Sequence, residues 1–122
     1  MEIRTIGAVL PTEDLARAKA FYTEKIGLDG QDVAAGVRFS NGSLFIYQAG
    51  AKSPGSFTQA GIEVADVKAA VDEMRSRGVV FEEYDMPGLK TENGIGNTPD
   101  GAQAAWFKDT EGNVVSVVQP PE

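Results

Sequence analysis

The stretch "WFKDTEGNVVSVVQ", residues 106–119, contains the pattern that decides the fold. Two apolar runs flank the polar sequence "DTEGN", whose Asp, Gly and Asn favour tight turns, so the stretch predicts a β-hairpin. Because alternate side chains of a strand share a face, Val114, Ser116 and Val118 are expected on one side of the second strand. Ser116 is the single hydroxyl in this aliphatic strand, and its chemical role is therefore the first question about function.

Length and composition are those of one globular domain. The chain has 122 residues, of which 42% are hydrophobic and 24% charged, and this fits a single core. The formal net charge is −7, whereas nucleic acids and anionic membranes are bound through clustered Lys and Arg, so neither is expected as a partner. There is no run of about 18 apolar residues and no signal-peptide pattern, so we expect a cytoplasmic protein.

Two residue types that carry much of protein chemistry are absent. The chain contains no Cys and no His. The first absence excludes disulfides, thiolate metal sites and Cys nucleophiles. The second excludes a Ser-His-Asp triad, a His-ligated zinc site and a two-His-one-carboxylate iron site within this chain.

The N-terminal part of the chain predicts a strand, a helix and a hairpin in that order. "IRTIGAVL", residues 3–10, predicts a strand. "PTEDLARAKAFYTEKIGL" predicts a helix with Thr12 as its N-cap and Gly27 as its C-terminal stop. In "VRFSNGSLFIYQ", residues 37–48, the central "NG" is the favoured sequence of a two-residue hairpin turn.

The same order of elements is predicted again in the C-terminal part. "FTQAGIEVADVKAAVDEMRSRGVVF" predicts a strand, an acidic turn, a helix and a glycine stop. "VVFEEYDM", residues 79–86, predicts a strand, and "PGLKTENGIGNTPDG", residues 87–101, predicts a long loop able to close over a ligand. The order β-α-β-β-β therefore occurs twice, at about residues 3–48 and 57–119.

Three stretches resemble the vicinal oxygen chelate superfamily, which includes glyoxalase I, extradiol dioxygenases, and fosfomycin- and bleomycin-resistance proteins. They are "AVLPTEDLARAKAFYTEKIGL", "IEVADVKAAVDEMRSRGVVF" and "AWFKDTEGNVVSVVQ". The last is similar to the family's D-P-x-G-N hairpin, with Thr110 in place of the proline. The resemblance implies an α+β fold, the glyoxalase/bleomycin-resistance fold, in which two βαβββ modules form a cup-shaped sheet. The modules would be about residues 1–50 and 56–122 of a single domain, residues 1–122, and a homodimer often completes the cup.

Catalytic members of this family hold a divalent metal at four positions, and the resemblance places those positions in this chain. The first-strand ligand precedes the Asp at each helix start by seven residues, and the hairpin ligand follows the Asn of the G-N pair by three. Counting in this sequence gives Gly7, Phe45, Gln59 and Ser116. Divalent cations need several converging carboxylates or imidazoles, and one amide does not make a site, so we expect no metal and no other cofactor.

The hairpin registers extend these positions to a predicted ligand-binding surface. In the first hairpin a two-residue turn places Arg38 opposite Phe45, with Tyr47 on the same face, and in the second hairpin Trp106 lies opposite Ser116. Aromatic side chains with a few polar groups are typical of small-molecule pockets. The predicted ligand-binding residues are Arg38, Phe45, Tyr47, Gln59, Trp106 and Ser116.

Other roles for the same side chains stay open at this point. Trp106 is equally well explained as a core residue, and Arg38 as a solvated charge on a hairpin. Glu83 and Asp85 share one face of a predicted strand, and one of these carboxylates would serve as a general base if that face met the ligand.

The sequence therefore predicts a metal-free small-molecule-binding protein of the glyoxalase/bleomycin-resistance type, which holds an aromatic or amphipathic ligand without changing it. A homodimer is expected from the resemblance and from the size of the chain. The alternative function is that of a glyoxalase-like lyase or isomerase that uses a carboxylate or a Tyr in place of a metal.

Overall fold

The computed structural model describes residues 1–121, with residue 41 described by its backbone alone. The chain divides into two compact units. The first unit consists of Met1–Gly55 and Asp109–Asn113, and the second of Ser56–Lys108 and Val114–Glu122. The turn of the C-terminal hairpin therefore belongs to the first unit, although the two strands that it connects belong to the second.

The first unit contains a four-stranded sheet and one helical segment. Its elements in chain order are β1 (Ala8–Thr12), α1 (Leu15–Ala20), a π-helical turn (Phe21–Ile26), β2 (Gly30–Val33), β3 (Gly36–Phe39), a 3₁₀ turn (Ser40–Gly42) and β4 (Leu44–Gln48). The strand order is β1-β4-β3-β2, with β1 parallel to β4 and the other pairs antiparallel. This unit has the predicted β-α-β-β-β order.

Two details of the N-terminal prediction were wrong. The first strand begins at Ala8 and not at residue 3, because pairing with β4 starts only there, and residues 1–7 are exposed. The N-cap of α1 is Asp14, whose side chain accepts a hydrogen bond from a backbone N–H of the first turn. Thr12 instead ends β1, where its buried hydroxyl accepts a hydrogen bond from the Asp14 N–H at 2.9 Å and donates one to Glu111 at 2.7 Å.

The first unit buries one face of its sheet against the helical segment. Leu10, Phe39 and Ile46 alternate with exposed or half-buried neighbours along their strands, and none of the three is more than 1% exposed. The ring of Tyr22 in the π-helical turn lies 5.6 Å from the ring of Phe39. The helical segment ends at Gly27, as predicted, with φ of 91°, a left-handed conformation that glycine adopts without strain.

The second unit contains a six-stranded sheet and one helix. Its elements are β5 (Thr58–Glu63), α2 (Val67–Ser76), β6 (Asp85–Met86), β7 (Leu89–Glu92), β8 (Ile95–Asn97), β9 (Gln103–Lys108) and β10 (Val114–Gln119). The strand order is β5-β10-β9-β8-β7-β6, and β5 is parallel to β10. The side chain of Asp66 caps α2, which buries Val67, Val71 and Met74.

The long loop predicted for residues 87–101 is wrong, because this segment contains β7 and β8. They form a hairpin around Asn93 and Gly94, which both have positive φ, 53° and 82°. Asn-Gly is the strongest sequence signal for a two-residue turn with this conformation. The strand predicted for residues 79–86 is correspondingly reduced to an isolated bridge between Phe81 and Phe107 and the two residues of β6.

The two sheets and two helices confirm the predicted α+β class. In the described part of the chain, no helix has both the length and the hydrophobicity needed to cross a lipid bilayer.

Candidate functional site

The first sheet carries three of the predicted ligand-binding residues on the face opposite its buried side. Arg38 of β3 pairs with Phe45 of β4, which confirms the predicted register. Tyr47 stands two residues further along β4, so it shares their face. Arg38 and Tyr47 are exposed and Phe45 is half-buried. We call this surface the Arg38 face.

A residue that the sequence analysis did not consider extends the Arg38 face. Val9 of β1 pairs with Phe45 from the other side and is 60% exposed. The parallel pairing of β1 with β4 places Val9 beside Phe45. Across three strands the Arg38 face therefore presents an aliphatic, an aromatic and a guanidinium group side by side.

In the second unit, Ser116 occupies the middle of a row across three strands. It pairs with Trp106 of β9, as predicted, and with Gly61 of β5. Ser116 is 8% exposed and Trp106 is half-buried. A Cβ atom built on Gly61 would lie 3.1 Å from the Ser116 Oγ, so the glycine keeps the space beside the hydroxyl clear. We call this surface the Trp106 face.

Gln59 lies in an irregularity of β5. The register between β5 and β10 shifts there, because Val114 pairs with Thr58 and Val115 with Ala60. Such a β-bulge interrupts the regular backbone ladder. The Gln59 Oε1 accepts a hydrogen bond of 3.3 Å from the Val114 N–H, so the Gln59 side chain supplies a partner to a backbone group at the bulge.

The four positions that hold a metal in catalytic relatives do not fit a divalent cation in this chain. A Cβ on Gly7 would lie 2.8 Å from the Ser43 carbonyl oxygen, so no ligating side chain fits there without a backbone shift. Phe45 has no donor atom, and the Gln59 carbonyl oxygen already accepts from Val114. Among the described residues, no three His, Cys, Asp or Glu side chains are grouped so that they could hold a metal ion.

Two further residues lie beside Trp106, and the sequence analysis did not place them there. The antiparallel bridge between Phe81 and Phe107 brings Glu82 opposite Trp106, and the Glu82 N–H donates to the Trp106 carbonyl at 2.8 Å. The Tyr84 ring lies 5.6 Å from the Trp106 ring at an interplanar angle of 81°. Burial, with the nearby Glu82 charge, raises the pKa of the Tyr84 hydroxyl.

The two carboxylates considered as general bases, Glu83 and Asp85, differ in their surroundings. Glu83 accepts hydrogen bonds from the Gly94 N–H and from the Thr91 hydroxyl, the latter at 3.3 Å. Asp85 lies on β6, where its backbone is in register with Lys90 of β7, and it is exposed. The contacts of Glu83 connect it to the β7–β8 hairpin and not to the predicted ligand-binding surface. The residue that lies with Tyr84 beside Trp106 is Glu82.

The hairpin turn that decides the fold is held by a buried aspartate. Asp109 is 6% exposed, and its Oδ1 accepts from the backbone N–H groups of Glu111 and Asn113 at 2.8 and 2.9 Å. Its Oδ2 accepts from the Tyr22 hydroxyl at 2.6 Å and from the Asn113 Nδ2 at 2.9 Å. Burial and the Asp109 charge raise the pKa of Tyr22, which therefore stays a neutral hydrogen-bond donor.

The same turn contains a second carboxylate, that of Glu111, which is fully buried and binds Arg17 of α1. The Arg17 guanidinium donates two hydrogen bonds to it, at 2.7 and 2.8 Å. The Thr12 and Thr110 hydroxyls add hydrogen bonds of 2.7 and 2.8 Å. The hydrogen bonds from Arg17, reinforced by those of the two threonines, lower the pKa of Glu111 from 4.5 to about 2.

We expect the Glu111 carboxylate to make the stability of the protein depend on pH at its acidic end. Because the pKa of Glu111 is about 2 in the folded state and 4.5 ordinarily, the unfolded state takes up the proton first as the pH falls. The stabilisation is therefore complete above pH 4.5 and lost as the pH falls toward about 2. Thermal unfolding of Glu111→Gln should show a shallower loss across this window, whereas the exposed Glu92→Gln should keep the wild-type slope.

The chain was compared with known proteins by sequence and by structure. No curated protein sequence matches it significantly. Among solved structures it is similar to UcmS2, with 19% identity over 98% of this chain and 100% of the other and a TM-score of 0.72. It is similar to TnmS3, an antibiotic binding protein from Streptomyces sp. CB03234, with 23% identity over 98% of each chain and a TM-score of 0.63.

The structural neighbours also include a named enzyme. A lactoylglutathione lyase from Agrobacterium tumefaciens is 23% identical over 97% of this chain and 94% of the other, with a TM-score of 0.64. At these identities the likeness shows a common fold and leaves the activity to be argued from the residues.

The family model covers most of both units, including the turn of the C-terminal hairpin. It matches residues 5–117, which include Asp109, Asn113 and Ser116. The chain belongs to the Glyoxalase/Bleomycin resistance protein/Dioxygenase superfamily.

Proposed function

We propose that this chain is a metal-free small-molecule-binding protein that holds an aromatic or amphipathic ligand without changing it. The observation that carries the proposal is the row formed by Gly61, Ser116 and Trp106. A half-buried indole beside an open glycine offers a planar apolar surface with one hydroxyl next to it, as small-molecule sites do. The position of Ser116 is one of the four at which the resemblance implies a metal ligand in catalytic relatives.

The Arg38 face provides a second surface for the same class of ligand. Phe45 and Tyr47 can contact a planar ring through their own rings, and the exposed Arg38 guanidinium can stack on it or donate hydrogen bonds to it. Gln59 shapes the Trp106 face through its hydrogen bond at the bulge. We therefore keep Arg38, Phe45, Tyr47, Gln59, Trp106 and Ser116 as the proposed ligand-binding residues.

The alternative, catalysis by a carboxylate or a Tyr, has one observation in its favour, since Glu82 and Tyr84 accompany Trp106. A tyrosine that acts as a base at neutral pH needs a lowered pKa, however, and the pKa of Tyr84 is raised. This difference argues against Tyr84 as a base. The homodimer stays a prediction, which light scattering at micromolar concentration can check.

Titration with acridine, in buffer alkaline enough to keep the ring neutral, tests the proposal. Because the chain has one Trp, its fluorescence reports binding near Trp106 alone. We expect saturable quenching that EDTA does not alter. Calorimetry follows the Arg38 face separately: Arg38→Ala should weaken acridine binding there by about fivefold through loss of stacking, and Arg77→Ala, which removes the same charge from the end of α2, should leave it unchanged. Absence of saturable quenching, or its loss in EDTA, would contradict the proposal.

A further inference from the structure

We propose that Glu82, Tyr84 and Trp106 form a recognition site for a positively charged group, so that the preferred ligand is a planar compound carrying an ammonium or a ring cation. This inference deepens the proposed function and rests on it. The row of Gly61, Ser116 and Trp106 does not specify the charge of the ligand, and the group of Glu82, Tyr84 and Trp106 does.

The backbone fixes the three side chains relative to each other. Phe81 and Phe107 form an isolated bridge, and the Glu82 N–H donates a hydrogen bond of 2.8 Å to the Trp106 carbonyl. Glu82 therefore lies directly beside Trp106 of β9. The Tyr84 N–H donates to the Thr91 hydroxyl at 2.8 Å, which holds Tyr84 next to β7. The group is therefore built on paired backbone and not on a loose loop.

The aromatic rings supply the surface that attracts a cation. The rings of Tyr84 and Trp106 are nearly perpendicular, with their centres 5.6 Å apart. In this arrangement the edge of one ring meets the face of the other, so the two negative π faces are not stacked against each other. Trp is the side chain that binds cations most strongly through its face, and both rings are half-buried, which reduces competition from water.

The carboxylate of Glu82 supplies the opposite charge. Among the described residues of the second unit, no Lys or Arg nitrogen forms an ion pair with it, whereas the Lys68 and Arg77 side chains pair with Asp72 and Glu73. Glu83, its chain neighbour, is occupied by the turn of the β7–β8 hairpin. The raised pKa of Tyr84, caused by burial and by the Glu82 charge, is consistent with a carboxylate close to the phenol.

The test uses two probes of nearly the same shape, neutral acridine and N-methylacridinium, titrated against the full chain and followed by Trp106 fluorescence. We expect the cation to bind about tenfold more tightly than acridine, and increasing NaCl to weaken the cation alone. Glu82→Gln should remove this preference by weakening the cation about tenfold while changing acridine affinity by less than about twofold. Glu92→Gln removes the same charge from exposed β7 and should change neither affinity.

Tyr84→Leu provides a second, independent variant, with circular dichroism as the check on folding. It should weaken N-methylacridinium by about fivefold and keep the salt dependence, because Glu82 remains. Equal affinities of the wild-type protein for the two probes would overturn this inference and leave the proposed function intact. Equal weakening of both probes in Glu82→Gln would overturn it as well. Failure of both probes to bind would contradict the proposed function itself.

Discussion

Asp109→Ala is expected to lower the free energy of unfolding by about 4 kcal/mol, the largest effect of any single substitution considered for this chain. The Asp109 carboxylate accepts hydrogen bonds from two backbone N–H groups, from the Tyr22 hydroxyl and from the Asn113 side chain. Alanine would leave these buried donors without their acceptor, and each buried donor left unpaired costs about 1–3 kcal/mol. Urea unfolding followed by fluorescence measures the change.

The control for this substitution is Asp85→Ala, which removes an exposed aspartate of β6 and should cost less than about 1 kcal/mol. Asp109→Asn should fall between the two, because its amide keeps one acceptor oxygen for the turn. If Asp109→Ala were too unstable for urea unfolding, its lowered melting temperature would give the same ranking. Equal stability of Asp109→Ala and Asp85→Ala would show that the turn is not held by this carboxylate.

Trp106→Ala is expected to weaken acridine binding by about 100-fold, the largest expected effect on function. The substitution removes the planar surface of the Trp106 face together with the ring that meets Tyr84. Truncation of a half-buried aromatic anchor at the centre of a binding surface typically costs 2 kcal/mol or more, and about 1.4 kcal/mol corresponds to a factor of ten. Calorimetry is the suitable measurement, because the variant has no Trp left to report binding.

Phe57→Ala is the matched control for the loss of Trp106. Phe57 is an aromatic residue of the same unit, 82% exposed and outside both proposed faces. Its truncation should leave acridine affinity within about twofold of wild type. Unchanged affinity in Trp106→Ala would contradict the proposed function, because the row of Gly61, Ser116 and Trp106 is the observation that carries it.

The sequence predicted the C-terminal hairpin of the second sheet correctly, because its local rules were unambiguous there. The alternation of "VVSVV" and the "DTEGN" turn fix the pairing of β9 with β10, so Trp106 is opposite Ser116 in the structure as in the prediction. The first hairpin has the predicted register too, although its turn is a short 3₁₀ segment, Ser40–Gly42. The register is the predicted one because Phe39 pairs with Leu44 in both cases, although Ser40 and Ser43 do not form the predicted strand pair.

The sequence analysis missed features that depend on partners distant in the chain. The Asn93-Gly94 turn was available as a local signal, yet the surrounding glycines favoured a loop, and the hairpin is stabilised by pairing with β9. The position of Glu82 beside Trp106 depends on the bridge between Phe81 and Phe107, which no local pattern indicates. The partners of the buried carboxylates of Asp109 and Glu111, which are Tyr22 and Arg17, are about 90 residues away in the chain.

Native mass spectrometry of the protein with acridine, after treatment with EDTA, tests metal-free binding most directly. The account predicts a one-to-one complex of protein and acridine in which no metal is present, and release of acridine with its mass unchanged. A complex that forms only after Zn²⁺ or Mn²⁺ is added back would contradict the account, and so would a stoichiometric metal that EDTA fails to remove.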